Sequence, residues 1–166
     1  MRRGSMRAFS VVVGLSFSWA LPALAEAPAA NVGSLECEGI RELKALVEKQ
    51  QSLLAENHSY AVNLAELISA GYMPAECPDG SRVRVSGPNL VGGCHFSYGL
   101  VSVVNNPQTG DFTFEAAAYG VKGTPSAGLE LYVVRIVSRY HDFIESYMYR
   151  NGVYSDVDLN ACSRAD

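Results

Sequence analysis

Apolar residues recur at helical spacing from Leu35 to Asn57. Ile40, Leu43, Val47 and Leu54 share one stripe, and Leu46 and Leu53 widen it. Glu36 and Glu38 fall in the first turn, where carboxylates suit the positive end of a helix dipole. Arg41, Glu42, Lys44, Glu48 and Lys49 form the opposite, solvated face. The helix is expected to end at Asn57-His58-Ser59, with Tyr60 packing back on the core. Asn63 then reads as an N-cap for a short helix from Leu64 to Ala70, with Glu66 placed to close a capping box. Gly71 is placed to terminate it, and Pro74 follows.

Beyond Pro74 the period changes from helical to alternating. A Pro78-Asp79-Gly80 turn precedes a short expected strand from Arg82 to Ser86. Cys94 to Val104 alternates and is rich in β-branched and aromatic residues. Phe112 to Gly120 is the next strand, with Phe112, Phe114, Ala116 and Ala118 on one side. Leu129 to Arg150 satisfies two periods at once. Val133, Ile136, Val137, Tyr140, Phe143, Ile144 and Tyr147 fit a helix, whereas "LELYVVRIV" has the β-branched content of a strand. Asn151-Gly152 is a strong hairpin signal and decides for strands, from Leu129 to about Ser138 and from Ile144 to Tyr149. The order predicts an α+β domain over 35–166: an N-terminal helix and a short second helix packed on an antiparallel β-meander.

The first residues set the compartment. "MRRGSMR" is basic, Ala8 to Leu21 is apolar, and Ala23-Leu24-Ala25 is a small-x-small site. This is the layout of a secretory signal peptide over 1–25. A flexible mature N-terminus over 26–34 is expected after it, in a periplasmic or secreted protein. The apolar run is shorter than the roughly 20 residues of a spanning helix, so no stable membrane span is expected after cleavage. Loss of Arg2, Arg3 and Arg7 leaves 10 basic residues against 17 acidic ones, a net charge of −7. Such a chain without a Lys/Arg cluster is a poor partner for nucleic acid. Its four cysteines, an even number in an exported chain, argue for two disulfides. Three connectivities exist. Cys77–Cys94, closing a short loop, and Cys37–Cys162, tying the start of the domain to its tail, are favoured. In the chain-entropy model they would contribute roughly 3 and 5 kcal/mol.

Candidate chemistry is sparse. His141-Asp142 with Ser138 has the residue types of a triad, but triads are defined by geometry. Cys94-His95 has the types of a nucleophile and its base, yet the cysteine count assigns Cys94 to a disulfide. There is no phosphate loop, no G-x-S-x-G, no H-E-x-x-H and no C-x-x-C. No catalytic residue, cofactor or metal site is therefore assigned, and the chain is expected not to be an enzyme. Of nine tyrosines, Tyr132, Tyr140, Tyr147, Tyr149 and Tyr154 cluster late in the sequence. They mark a candidate interaction surface.

The stretch "LKALVEKQQSLLAENHSYAVNLAELISAGYMP" resembles the end of the long helix, and the turn after it, in type IV pilin-like and type II secretion pseudopilin-like proteins. The strand "FTFEAAAYG", the Gly/Pro-bearing loop after it and "YMYRNGVYS" extend the resemblance over about Glu38 to Tyr154. It departs at the N-terminus, where "AFSVVVGLSFSW" lacks the prepilin motif. The resemblance implies a pilin-like globular head, a structural or interaction protein with a protein partner in an envelope or extracellular assembly. The alternative is a small periplasmic or secreted ligand-binding module unrelated to pili, with the tyrosines lining its pocket.

Overall fold

Two helices precede six strands within residues 33–85, 87 and 89–162, which a computed structural model describes. The expected signal segment 1–25, all but the end of the expected flexible stretch 26–34, and residues 163–166 lie outside the described residues. Helix α1 is Ser34–Asn57 and α2 is Leu64–Ser69. The strands are β1 (Leu90–Gly92), β2 (Phe96–Asn106), β3 (Asp111–Gly120), β4 (Leu129–Val137), β5 (Asp142–Arg150) and β6 (Val153–Asp156). They form one antiparallel sheet whose spatial order is the chain order, a simple meander.

One face of the sheet is covered. α1 lies over β3 and β4 and buries Ile40, Leu43, Leu46 and Val47 against Phe96, Tyr98, Phe114, Leu131 and Val133. Gly39 lets the helix approach closely, since a Cβ there would lie 2.8 Å from the Leu131 side chain. Glu36 is buried and pairs with Arg150 at the end of β5. Cys37 pairs with Cys162 (Cα–Cα 5.2 Å), tying the first turns of α1 to the C-terminal segment. Cys77 pairs with Cys94 (Cα–Cα 4.5 Å), tying the loop after α2 to the turn before β2.

His58 ends α1 in the left-handed region, φ 54°, with its N–H on Leu54 O. Two side-chain amides then hold the returning chain. Asn105 Oδ1 accepts from Tyr60 N–H at 2.9 Å and its Nδ2 donates to Tyr60 O at 2.8 Å. Gln50 does the same for Ala61. Tyr60 is thereby seated edge-on against Phe114, ring centroids 4.9 Å apart. In α2, Asn63 Oδ1 accepts from Glu66 N–H at 2.9 Å, as a capping box requires. The Glu66 carboxylate accepts instead from Val62 N–H and from the Asn63 amide. Gly71, at φ +96°, closes the helix with bonds from Gly71 N–H to Ile68 O and from Tyr72 N–H to Leu67 O.

One reading is corrected. Residues 82–85 of the expected Arg82 to Ser86 strand are irregular, and Ser86 lies outside the described residues. Val83 makes a single backbone bond there, to Gly93 O, while the Arg82 guanidinium is spent on Pro74 O, Gly92 O and Glu76. A short strand that the pattern did not suggest, β1, follows instead at Leu90–Gly92. Leu129 to Arg150 is two strands and a turn, as the hairpin signal required. Asn151 (φ 51°) and Gly152 (φ 81°) form the two-residue turn into β6.

Candidate functional site

Among the described residues, no helix lies over the second face of the sheet. Strand register places Tyr119 of β3, Tyr132 of β4, Tyr147 and Tyr149 of β5 and Tyr154 of β6 on this face. Tyr132 and Tyr147 sit directly opposite one another and stack, centroids 5.2 Å apart and rings 15° from parallel. Tyr154 stacks on Tyr147 at 5.8 Å, and Tyr149 meets Tyr132, Tyr147 and Tyr154 edge-on. Tyr119 joins through an edge contact to Tyr132 at 5.9 Å. Ala117, opposite Tyr132, is fully buried on this face and forms the floor of the cluster. Val104, Ile136 and Phe143 continue the face, exposed, toward the β4–β5 turn.

Of the tyrosines expected in an interaction surface, Tyr132, Tyr147, Tyr149 and Tyr154 come together. Tyr140 does not join them; it lies in the β4–β5 turn, 79% exposed. Tyr119 was missed. Its only signal is its parity in "FTFEAAAYG", which sends it to the side opposite Phe112 and Phe114.

Carboxylates are interleaved with the rings. Tyr132 OH donates to Glu130 at 2.9 Å, Tyr147 OH to Glu115 at 3.5 Å, and Tyr154 OH to Asp156. Burial first, then the bond to Glu130, pushes the Tyr132 hydroxyl well above the ordinary tyrosine range. Burial and the charge of Glu115 move Tyr147 the same way. The bond to Asp156 holds Tyr154 up at about 12. These three phenols therefore stay neutral donors at physiological pH, and the carboxylates keep unused acceptor capacity. Glu145 lies on the same face, and no lysine or arginine occupies a position on it in β2 to β6.

Two grooves lie away from this face. A groove of about 590 Å³ runs between the end of α1 and α2, lined by Leu53, Asn57, Tyr60 and Glu66. A second, about 370 Å³, separates α1 from β5 and the C-terminal segment at Val47, Ile144 and Val157. Neither is lined by the clustered tyrosines.

A second cluster forms where four segments meet. His95, in the turn before β2, is held on both sides of its backbone. Its N–H donates to Glu38 Oε1 of α1 at 2.8 Å, and its carbonyl accepts from Ser126 Oγ at 2.5 Å and Thr124 Oγ1 at 3.3 Å. Its ring Nδ1 lies 2.6 Å from Glu38 Oε2, and Nε2 lies 3.6 Å from Cys94 Sγ. A carboxylate can only accept, so Nδ1 carries the proton and Nε2 is turned to the sulfur. Donor atoms of Cys77, Cys94 and His95 fall within 4.8 Å of one another, a spacing that would suit a metal ion. Both sulfurs are bonded to each other, however, and offer no thiolate. Ser138, His141 and Asp142 form no triad. Ser138 Oγ accepts from Tyr140 and His141 N–H groups, which is a turn cap, and Asp142 pairs with Arg135.

Comparison with protein families, with curated proteins and with solved structures found no match. The functional reading therefore rests on this chain's own residues. Among the described residues, no helix is long and apolar enough to cross a membrane. The two disulfides suit an oxidising, non-cytoplasmic compartment.

Proposed function

We propose that the chain is an exported, non-enzymatic, pilin-like interaction module of a cell-envelope or extracellular assembly. Its uncovered sheet face receives a protein partner that presents lysine and arginine side chains. The observation that carries this reading is the stacked tyrosine cluster edged by Glu115, Glu130, Glu145 and Asp156, with no lysine or arginine at the strand positions of that face in β2 to β6. Tyrosine supplies large contact area at small entropic cost, and its ring face attracts cations. The carboxylates supply complementary charge. Export is supported by the leader-like first 25 residues and by the paired cysteines. The pilin-like assignment is supported by the order of a long helix, a short helix and a meander with the long helix across one face.

A ligand-binding module would need its tyrosines around a cavity, and the two grooves described above lie away from them. The face is therefore read as a docking surface. The test is site-specific photocrosslinking in the cell of origin, from position 134 on the tyrosine face and from position 55 on the exposed side of α1. A discrete protein adduct from position 134 that disappears with Tyr132→Ser/Tyr147→Ser is expected. An adduct from position 55 alone, or one indifferent to the tyrosines, would overturn the proposal.

A further inference from the structure

We infer that Cys77–Cys94 is an exchange-active disulfide. In it Cys77 is the sulfur attacked by an incoming thiolate, Cys94 is the leaving sulfur, His95 stabilises the leaving thiolate, and Glu38 positions the imidazole. The inference does not depend on the docking surface. It rests on geometry that a purely structural disulfide does not require. His95 Nε2 faces Cys94 Sγ at 3.6 Å, and Glu38 holds the opposite ring nitrogen at 2.6 Å. This is a leaving sulfur, an imidazole beside it and an orienting carboxylate, drawn from α1 and from the turn before β2. The imidazole is fixed before any reaction. Glu38 binds the His95 backbone as well as its ring, and Ser126 and Thr124 bind its carbonyl.

The chemistry follows from which sulfur can leave. Exchange is faster when the departing thiol is the more acidic one. Glu38 keeps the Nδ1 proton in place; when the ring takes a second proton from solvent it goes on Nε2, beside Cys94, where the imidazolium stabilises the Cys94 thiolate. The thiolate of an external dithiol attacks Cys77 Sγ and forms a mixed disulfide there. The Cys77–Cys94 bond breaks, its electron pair stays on Cys94 Sγ, and that sulfur takes the proton from Nε2. The second sulfur of the dithiol, as thiolate, then attacks its own partner sulfur in the mixed disulfide and releases Cys77 as thiolate, which takes a proton from water. The dithiol is oxidised to a disulfide and the protein gains two thiols. Cys77 and Cys94 are both partly buried, as is Cys37, whereas Cys162 of the other disulfide is only 8% exposed. The internal pair Cys37–Cys162 is thus a built-in control.

The test uses the full oxidised chain in dithiothreitol, with acid quenching, alkylation and mass spectrometry of each cysteine. Cys77–Cys94 should open before Cys37–Cys162. With glutathione, a monothiol, the trapped adduct should sit on Cys77. His95→Ala should slow the opening of Cys77–Cys94 about tenfold and spread the adduct over both sulfurs, with the rate for Cys37–Cys162 unchanged. Glu38→Gln keeps an acceptor for the ring and removes the charge; it should shift rate and adduct position in the same direction by less. If His95→Ala loosens the whole fold, the Cys37–Cys162 rate rises, and Glu38→Gln then decides. Adduct on Cys94 in the unmodified chain, or rates and adduct positions indifferent to both substitutions, would overturn the inference.

Discussion

The side-chain amide of Gln50, on α1, closes both backbone hydrogen bonds of Ala61, which lies past the helix end. Nε2 donates to Ala61 O at 3.1 Å and Oε1 accepts from Ala61 N–H at 2.8 Å. Gln50 is fully buried. A leucine there would fill similar space and leave a buried N–H and C=O without partners. Gln50→Leu is expected to cost about 2–3 kcal/mol, read as a fall in the urea midpoint at unchanged slope. A cost under about 0.5 kcal/mol would mean that water replaces the amide.

Gly120 ends β3 beneath the loop that carries Thr124 and Ser126. A Cβ on Gly120 would lie 1.8 Å from Ser126 O, which is backbone and cannot swing aside. Gly120→Ala should cost about 2 kcal/mol or more through displacement of this loop. Because Ser126 bonds to His95 O, the same variant should raise amide exchange at His95. Unchanged exchange there would separate the loop from the histidine.

Alkaline stability carries a defined sign. Burial pushes the hydroxyls of Tyr72 and Tyr98 far above their ordinary value of 10.0. The folded chain then holds protons that the unfolded chain releases. The stabilisation is complete below about pH 10, and stability falls as pH rises beyond it. Among the described residues neither hydroxyl has a hydrogen-bond partner, so Tyr98→Phe should be tolerated near pH 7. It should also flatten the alkaline decline of the melting temperature. A steeper decline in the variant would contradict the assignment.

Much of the fold was legible in the pattern, and its failures have physical causes. The stripe of α1 and the Asn63 and Gly71 signals of α2 depend on neighbours in sequence, so they could be read directly. Leu129 to Arg150 was ambiguous because both faces of β4 and β5 carry apolar side chains. Leu131 and Val133 face the helix while Tyr132 and Ile136 face outward, which blurs the alternation. Arg82 to Ser86 had the alternation of a strand, but its described residues 82–85 are irregular, with Val83 N–H bonded to Gly93 O. Cys94-His95 was visible as a pair. Glu38 lies 57 positions away and could not be linked to it from sequence. Tyr119 required the β3–β4 register, and Tyr140 was grouped by proximity in sequence when the turn carries it away.

The most direct test of the central claim is tyrosine-ring NMR of the oxidised full chain during titration with matched peptides. One peptide alternates lysine with aromatic residues, and the other carries glutamate at each lysine position. The account predicts shifts at Tyr132, Tyr147, Tyr149 and Tyr154 with the lysine peptide only, weakening as salt rises. Equal binding of the glutamate peptide, or shifts confined to the groove between α1 and α2, would contradict it.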